Sequence, residues 1–217
     1  MVVHLPRYKI AYVPVPKAAC TSIKAAILEK QPKYAFRVSR SRDFEWVHKA
    51  LKTRRFNLER FREYEGYWRF TVVRDPLKRL LSCYTDRVLT RNELHNSAKL
   101  QTGEIHLPKE PDPDFFFQNL PAYMKAASVI RHHAYPTVTF IGNKLGRYSK
   151  IYTVSEIPKL EADFSDRLGQ DISIPRLNES KGSLDFDDLA GETKTFLRDY
   201  LQRDYRVLHR QFDNPFA

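Results

Sequence analysis

Twice in this chain a short apolar run feeds through a polar turn into an amphipathic helix, and any fold has to be built around that repetition. The first instance is Ile10-Ala-Tyr-Val-Pro-Val15, followed by the turn Pro16 to Ser22. Ile23, Ala26 and Ile27 then fall at helical spacing, with Thr21 or Ser22 expected as the cap. The second is Trp68-Arg-Phe-Thr-Val-Val73, then Arg74-Asp75-Pro76 with Pro76 at the first helical position, then Leu77, Leu80, Leu81, Tyr84 and Val88 on one helix face. A strand that returns through a helix comes back parallel to its neighbour. Further on, the apolar runs 138–141 and 151–154 predict two short strands, and 114–130 and 157–168 predict helices. The spacing of Leu189, Phe196, Leu197, Tyr200, Leu201 and Leu208 predicts a long final helix. The fold class is therefore α/β, with a central, mainly parallel sheet flanked by helices.

Of the 217 residues 42% are hydrophobic, and 12 Tyr and 14 Phe have to be buried, which excludes disorder and predicts one domain over residues 1–217. Residues 90–114 hold few apolar side chains and end in Pro108-Lys-Glu-Pro-Asp-Pro113; they are expected to form a mobile surface loop of the kind that serves as a lid or binding loop. The 37 Lys and Arg against 26 Asp and Glu leave a net charge of +11, which calls for an anionic partner: a nucleotide, a nucleic acid, an acidic glycan or a membrane surface. Cys20 and Cys83 are too few for a disulfide framework or a four-cysteine zinc site. The N-terminus lacks the apolar core of a signal peptide, and no run approaches the roughly 20 apolar residues of a membrane span. A soluble, cytoplasmic protein is expected.

Pro16-Lys17-Ala18-Ala19-Cys20-Thr21-Ser22 joins a strand to a helix. Small residues at 18 and 19 let backbone N–H groups approach an anion, the helix N-terminus adds partial positive charge, and Lys17 adds a full one. The G-x-x-x-x-G-K-[ST] pattern is absent, which argues against a magnesium-dependent nucleoside triphosphatase loop. Taken alone, the segment reads equally as an ordinary βα turn with an exposed lysine. In the second motif Arg74 stands at the carboxyl end of a strand, where open α/β sheets bind ligands. Ser82 follows about two helical turns on, so both side chains can converge on one phosphate. Alone, Arg74 paired with a local carboxylate fits as well.

Together the two motifs resemble those of the sulfotransferases that use 3′-phosphoadenosine-5′-phosphosulfate (PAPS), in particular the carbohydrate sulfotransferase branch. Their 5′-phosphosulfate loop looks like Val15-Pro16-Lys17-Ala-Ala-Cys20-Thr21-Ser22-Ile-Lys24, and their 3′-phosphate motif like Phe70-Thr-Val-Val-Arg74-Asp-Pro76-Leu-Lys-Arg79-Leu-Leu-Ser82-Cys-Tyr84. Leu177-Asn178-Glu-Ser180-Lys181-Gly182 is similar to a late loop that closes over the nucleotide. The resemblance implies a three-layer, P-loop-like fold. It implies that Lys17, Ala19, Cys20, Thr21 and Ser22 hold the 5′-phosphosulfate, that Arg74 and Ser82 hold the 3′-phosphate, and that Lys181 and Gly182 line the nucleotide. Ala19 stands where many members have glycine, and Cys20 where many have threonine; the carbohydrate branch tolerates both.

PAPS is then the co-substrate, the bisphosphate nucleotide PAP the product, and a hydroxyl on a carbohydrate or glycolipid the acceptor. Sulfuryl transfer is an in-line displacement in which positioning and electrostatics dominate, and no metal-ligand spacing is present. An attacking hydroxyl needs a base. His48, His132, His133 and Glu45 are the candidates, and His48 leads because carbohydrate sulfotransferases often carry a functional histidine ahead of the 3′-phosphate motif. Glu45, three residues earlier, could orient the His48 ring or serve as the base itself; His133 is the second choice. Two other classes compete. The cluster Lys49, Lys52, Arg54, Arg55, Arg60, Arg62 with Trp46, Phe56 and Phe61 has the mixture a nucleic-acid-binding module uses; a solvated helix face, or a track for a polyanionic glycan, is favoured over it. A P-loop nucleotide phosphotransferase is disfavoured by the missing glycines. Phe115-Phe116-Phe117 reads as core rather than as part of an apolar acceptor site.

Overall fold

The computed structural model describes residues 2–41, 44–177 and 184–217. Its elements run β1 (Val3–Leu5), β2 (Ile10–Val13), α1 (Cys20–Glu29), α2 (Pro32–Arg40), α3 (Glu45–Ala50), α4 (Leu58–Arg62), β3 (Trp68–Val73) and α5 (Pro76–Cys83). They continue with α6 (Ala98–Gln101), α7 (Pro113–Gln118), α8 (Leu120–Ala126), α9 (Ser128–Ala134), α10 (Val138–Ile141), β4 (Lys150–Thr153), α11 (Ile157–Leu168) and α12 (Gly191–Val207). A π-helical segment, Tyr84–Thr90, prolongs α5. The chain gathers into two compact units, one of residues 1–74 and 137–179, the other of 75–136 and 180–217.

The first unit carries the sheet, in the order β1-β2-β3-β4. β2 and β3 are parallel (Tyr12 opposite Phe70), as are β3 and β4 (Val72 opposite Tyr152), and β1 lies antiparallel on the edge (Leu5 opposite Ile10). Every residue of β2 is buried, as are five of the six in β3, the mark of strands covered on both faces. The fold is thus mixed α/β with a mostly parallel sheet flanked by helices, as the two strand–turn–helix repeats predict. Ile23 and Ile27 of α1 and Leu160 and Phe164 of α11 pack with Tyr12, Phe70 and Tyr152 into one core.

Several expectations are corrected here. The run 138–141 is helix α10 rather than a strand: four apolar residues do not reveal their period, and the flanking geometry decides. Thr137 already has helical angles, and Gly142 stops the helix at φ 74, where a Cβ would come within 2.9 Å of the Phe56 ring. β2 ends at Val13, two residues short of the predicted run, and β1 was not anticipated, being three residues ahead of Pro6. Lastly, the residue at the N-cap position of α1 is Ala19, which offers no side-chain cap, while Thr21 and Ser22 lie inside the first turn.

The second unit is helical. Leu80, Tyr84, Phe116, Phe117, Tyr123, Ile130, Leu197, Leu201 and Tyr205 form its core, so two of the three consecutive phenylalanines are core residues, while Phe115 is 38% exposed. The single helix predicted for 114–130 is three, α7 to α9. Pro121 opens α8, and Ala127 is extended (φ −127, ψ 116), which separates α8 from α9. Within residues 90–114, Leu94 and Leu100 are buried. The Tyr84 hydroxyl donates to the Pro111 carbonyl and the Tyr123 hydroxyl to that of Pro108, each at 2.9 Å. Among the described residues, no helix is long and apolar enough to cross a membrane.

Candidate active site

The turn between β2 and α1 departs from ordinary backbone geometry. Lys17 (φ 65) and Ala19 (φ 54) are both left-handed although neither is glycine, and each such residue costs on the order of 1 kcal/mol. They flank Ala18, which is fully buried. Left-handed residues beside right-handed ones turn successive N–H groups to one side, forming a concave anion cradle. α1 then begins with no side-chain cap and no acidic residue in its first turn. Its leading N–H groups and its dipole are thus presented to whatever anion the turn holds.

The hydroxyls of that first turn are tied to other parts of the same unit. Thr21 Oγ1 lies 2.9 Å from His48 Nε2, and Ser22 Oγ accepts the N–H of Leu177 at 3.2 Å. Lys24, with no exposed surface, donates to Thr53 Oγ1 at 2.7 Å and places Nζ 3.4 Å from His48 Nδ1. Burial pulls the Lys24 ammonium below its usual range, with the nearby Cys20 acting in the opposite sense. Under the turn, the Tyr12 hydroxyl is buried without a hydrogen-bond partner, and burial, with Cys20 adding to it, holds its pKa well above the ordinary value.

Arg74 follows β3 directly. Because β2 and β3 are parallel and Val13 pairs with Thr71, Arg74 and the Lys17 turn leave the sheet at the same, carboxyl-terminal edge, where open α/β sheets bind ligands. Glu45 stands on α3 one turn before His48 and is exposed. In the second unit, Asp75 caps α5: Oδ1 accepts the Lys78 N–H at 2.8 Å, and Oδ2 accepts the Tyr205 hydroxyl at 3.0 Å. Ser82 is buried on α5 and His133 is half-buried at the end of α9. Lys181 and Gly182 lie outside the described residues.

Of the residues singled out in the sequence, the first unit holds Lys17, Ala19, Cys20, Thr21, Ser22, His48, Glu45 and Arg74, while Ser82 and His133 belong to the second. Sequence reasoning gave no part to Thr53 and Tyr12, and it quoted Lys24 at the end of the 5′-phosphosulfate motif without giving it a role. The signal for Lys24 was there: Ile23 to Leu28 is apolar on every side but for this lysine, and a helix apolar all round is buried all round. Thr53 and Tyr12 carried no such mark. Among the described residues no group of three or more His, Cys, Asp and Glu side chains is gathered to hold a metal.

A strand, a glycine-free turn with two left-handed residues, a helix start without a side-chain cap and an arginine after the neighbouring parallel strand stand together at one edge of the sheet, an arrangement whose chemistry suits a phosphate-bearing anion. Residues 2–156 match the Sulfotransferase family, well over half of the 217 residues, and the chain belongs to that family. A comparison with curated proteins found no match, and neither did one with solved structures.

Proposed function

We propose that this sulfotransferase takes its sulfuryl group from PAPS and delivers it to a hydroxyl of a carbohydrate or glycolipid, with residues 1–217 acting as one catalytic domain. The observation that carries the reading is the β2–α1 turn: two left-handed residues, Lys17 between strand and helix, and a helix start free of side-chain caps and acids. Such a donor set fits a phosphosulfate. The donor supplies an activated sulfuryl group on a phosphate leaving group.

The chain's part is positional and electrostatic. Lys17 and the N–H groups of Ala19, Cys20, Thr21 and Ser22 offset charge that grows on the leaving oxygen, and the Thr21 and Ser22 hydroxyls orient the anion. Arg74 and Ser82 are assigned to the 3′-phosphate, and Lys181 with Gly182 to the nucleotide, on the family resemblance. The acceptor's proton has to pass to a side chain, and His48, Glu45 and His133 are those proposed. His48 is the one whose ring meets the donor loop.

The rival nucleic-acid module is less well supported. Base stacking needs exposed aromatic faces, yet Phe61 is buried and packs on Phe56 with ring centroids 5.2 Å apart. The Arg37 guanidinium already covers Trp46 at 4.2 Å.

The test is a thermal shift with added chelator. PAP should stabilise the protein and ATP should not, while Arg74→Ala should weaken PAP by roughly 10- to 100-fold and leave adenosine 5′-monophosphate unchanged, the loss expected of one charge-assisted contact. Equal losses for both nucleotides remove Arg74 from the 3′-phosphate site. Tight nucleic-acid binding without nucleotide affinity sinks the enzyme reading.

A further inference from the structure

His48 is engaged at both ring nitrogens, and the chemistry of its partners dictates where the protons lie. A lysine ammonium carries three N–H donors and no acceptor. With Lys24 Nζ 3.4 Å from Nδ1 and 2.7 Å from Thr53 Oγ1, Nδ1 accepts, so the neutral ring holds its single proton on Nε2. That N–H faces Thr21 Oγ1 at 2.9 Å. Thr21 therefore accepts from the ring, and its own hydroxyl proton is left to donate elsewhere. Thr21 is the second residue of α1, whose N-terminus faces the anion cradle.

We infer that Lys24 and His48 are positioning residues: Lys24 fixes the tautomer of the His48 ring, and the ring holds the Thr21 hydroxyl with its proton turned toward the donor's phosphosulfate. The inference rests on the sulfotransferase reading above and narrows it. A ring protonated at Nε2 does not take the acceptor's proton there, which leaves that task to Glu45 or His133. Chained hydrogen bonds polarise one another in a poorly solvated site, so the charge of a lysine with no exposed surface reaches the anion through two side chains.

The distinction is measurable without knowing the acceptor, because a general base contributes nothing to product affinity while a positioning chain does. The probe is PAP, titrated by calorimetry into the full chain. His48→Gln keeps an N–H donor near the place of Nε2 but cannot act as a base; it should bind PAP within about threefold of the parent protein. His48→Ala and Thr21→Val should each weaken PAP about tenfold, the loss of one hydrogen bond to a charged group, and the double variant should be no weaker than either, since both cut the same chain. Lys24→Met should weaken PAP similarly with no lower melting temperature, because it removes a buried charge.

Long-range proton–nitrogen spectra of the parent protein should show the Nε2–H tautomer, a readout independent of any variant's folding. PAP affinity unchanged in His48→Ala, His48→Gln as weak as His48→Ala, or an Nδ1–H tautomer would each overturn the inference and return His48 to the role of base. A parent protein that binds no PAP overturns the sulfotransferase reading itself.

Discussion

Ala19 sets the cradle's geometry at a cost. Alanine in the left-handed region gives up on the order of 1 kcal/mol, and glycine, which many family members carry there, occupies it freely. Ala19→Gly should therefore raise stability by about 0.5–1 kcal/mol in urea denaturation with the slope unchanged; a loss of stability would mean that the φ of 54° is not the conformation in solution. The smallness of residues 18 and 19 was legible because only small side chains let a backbone approach an anion. The left-handed φ was not, because alanine gives no sign of it, and the helix cap was misread because Thr21 and Ser22 are good caps that here serve other partners. Lys17 and Arg74 were legible as positions in motifs, whereas His48 lies in no motif and was singled out only as a histidine ahead of the second one. Lys24 stood at the end of a motif but received no role, because its partners are 24 to 29 residues away in sequence and only the folded chain brings them together.

At the scale of elements, the two strand–turn–helix units and α11 were readable because their runs were long enough to show a period or were bounded by proline and glycine. Four residues such as Val138–Ile141 show none, and tertiary context decided. α5 repays a closer look. Its Arg79 is fully buried, and the guanidinium donates to the carbonyls of His133 at 3.0 Å and Tyr135 at 2.6 Å. The arginine thus ties α5 to the end of α9, just ahead of Pro136. Removing it takes a donor from each of two partly buried carbonyls and leaves a space in the helical core. Arg79→Met should cost about 2–4 kcal/mol, which for a chain of this length is a fall in Tm of roughly 5–15 °C. A melting temperature within a degree or two of the parent protein would show that the helix ends hold without the arginine.

For the molecule as a whole, the charge of +11 favours anionic partners and names none. Aromatic faces take part of the positive surface: Arg37 lies over Trp46, Arg40 over Phe36 and Arg167 over Trp68, at 4.2, 4.5 and 4.4 Å. What singles out a sulfuryl donor is the β2–α1 turn together with the family match over residues 2–156. The central claim is chemical, and transfer itself tests it most directly. Isotopically labelled PAPS is incubated with the protein and a panel of glycans, glycolipids and simple alcohols, and the products are read by mass spectrometry. Labelled sulfate should appear on at least one hydroxyl acceptor. Lys17→Ala should lower that turnover about 10²-fold while PAP affinity changes only a few-fold, because a contact that strengthens as the leaving oxygen gains charge acts on the rate more than on binding. Intact donor with no labelled product across the panel, or a Lys17→Ala protein as fast as the parent, would contradict the account.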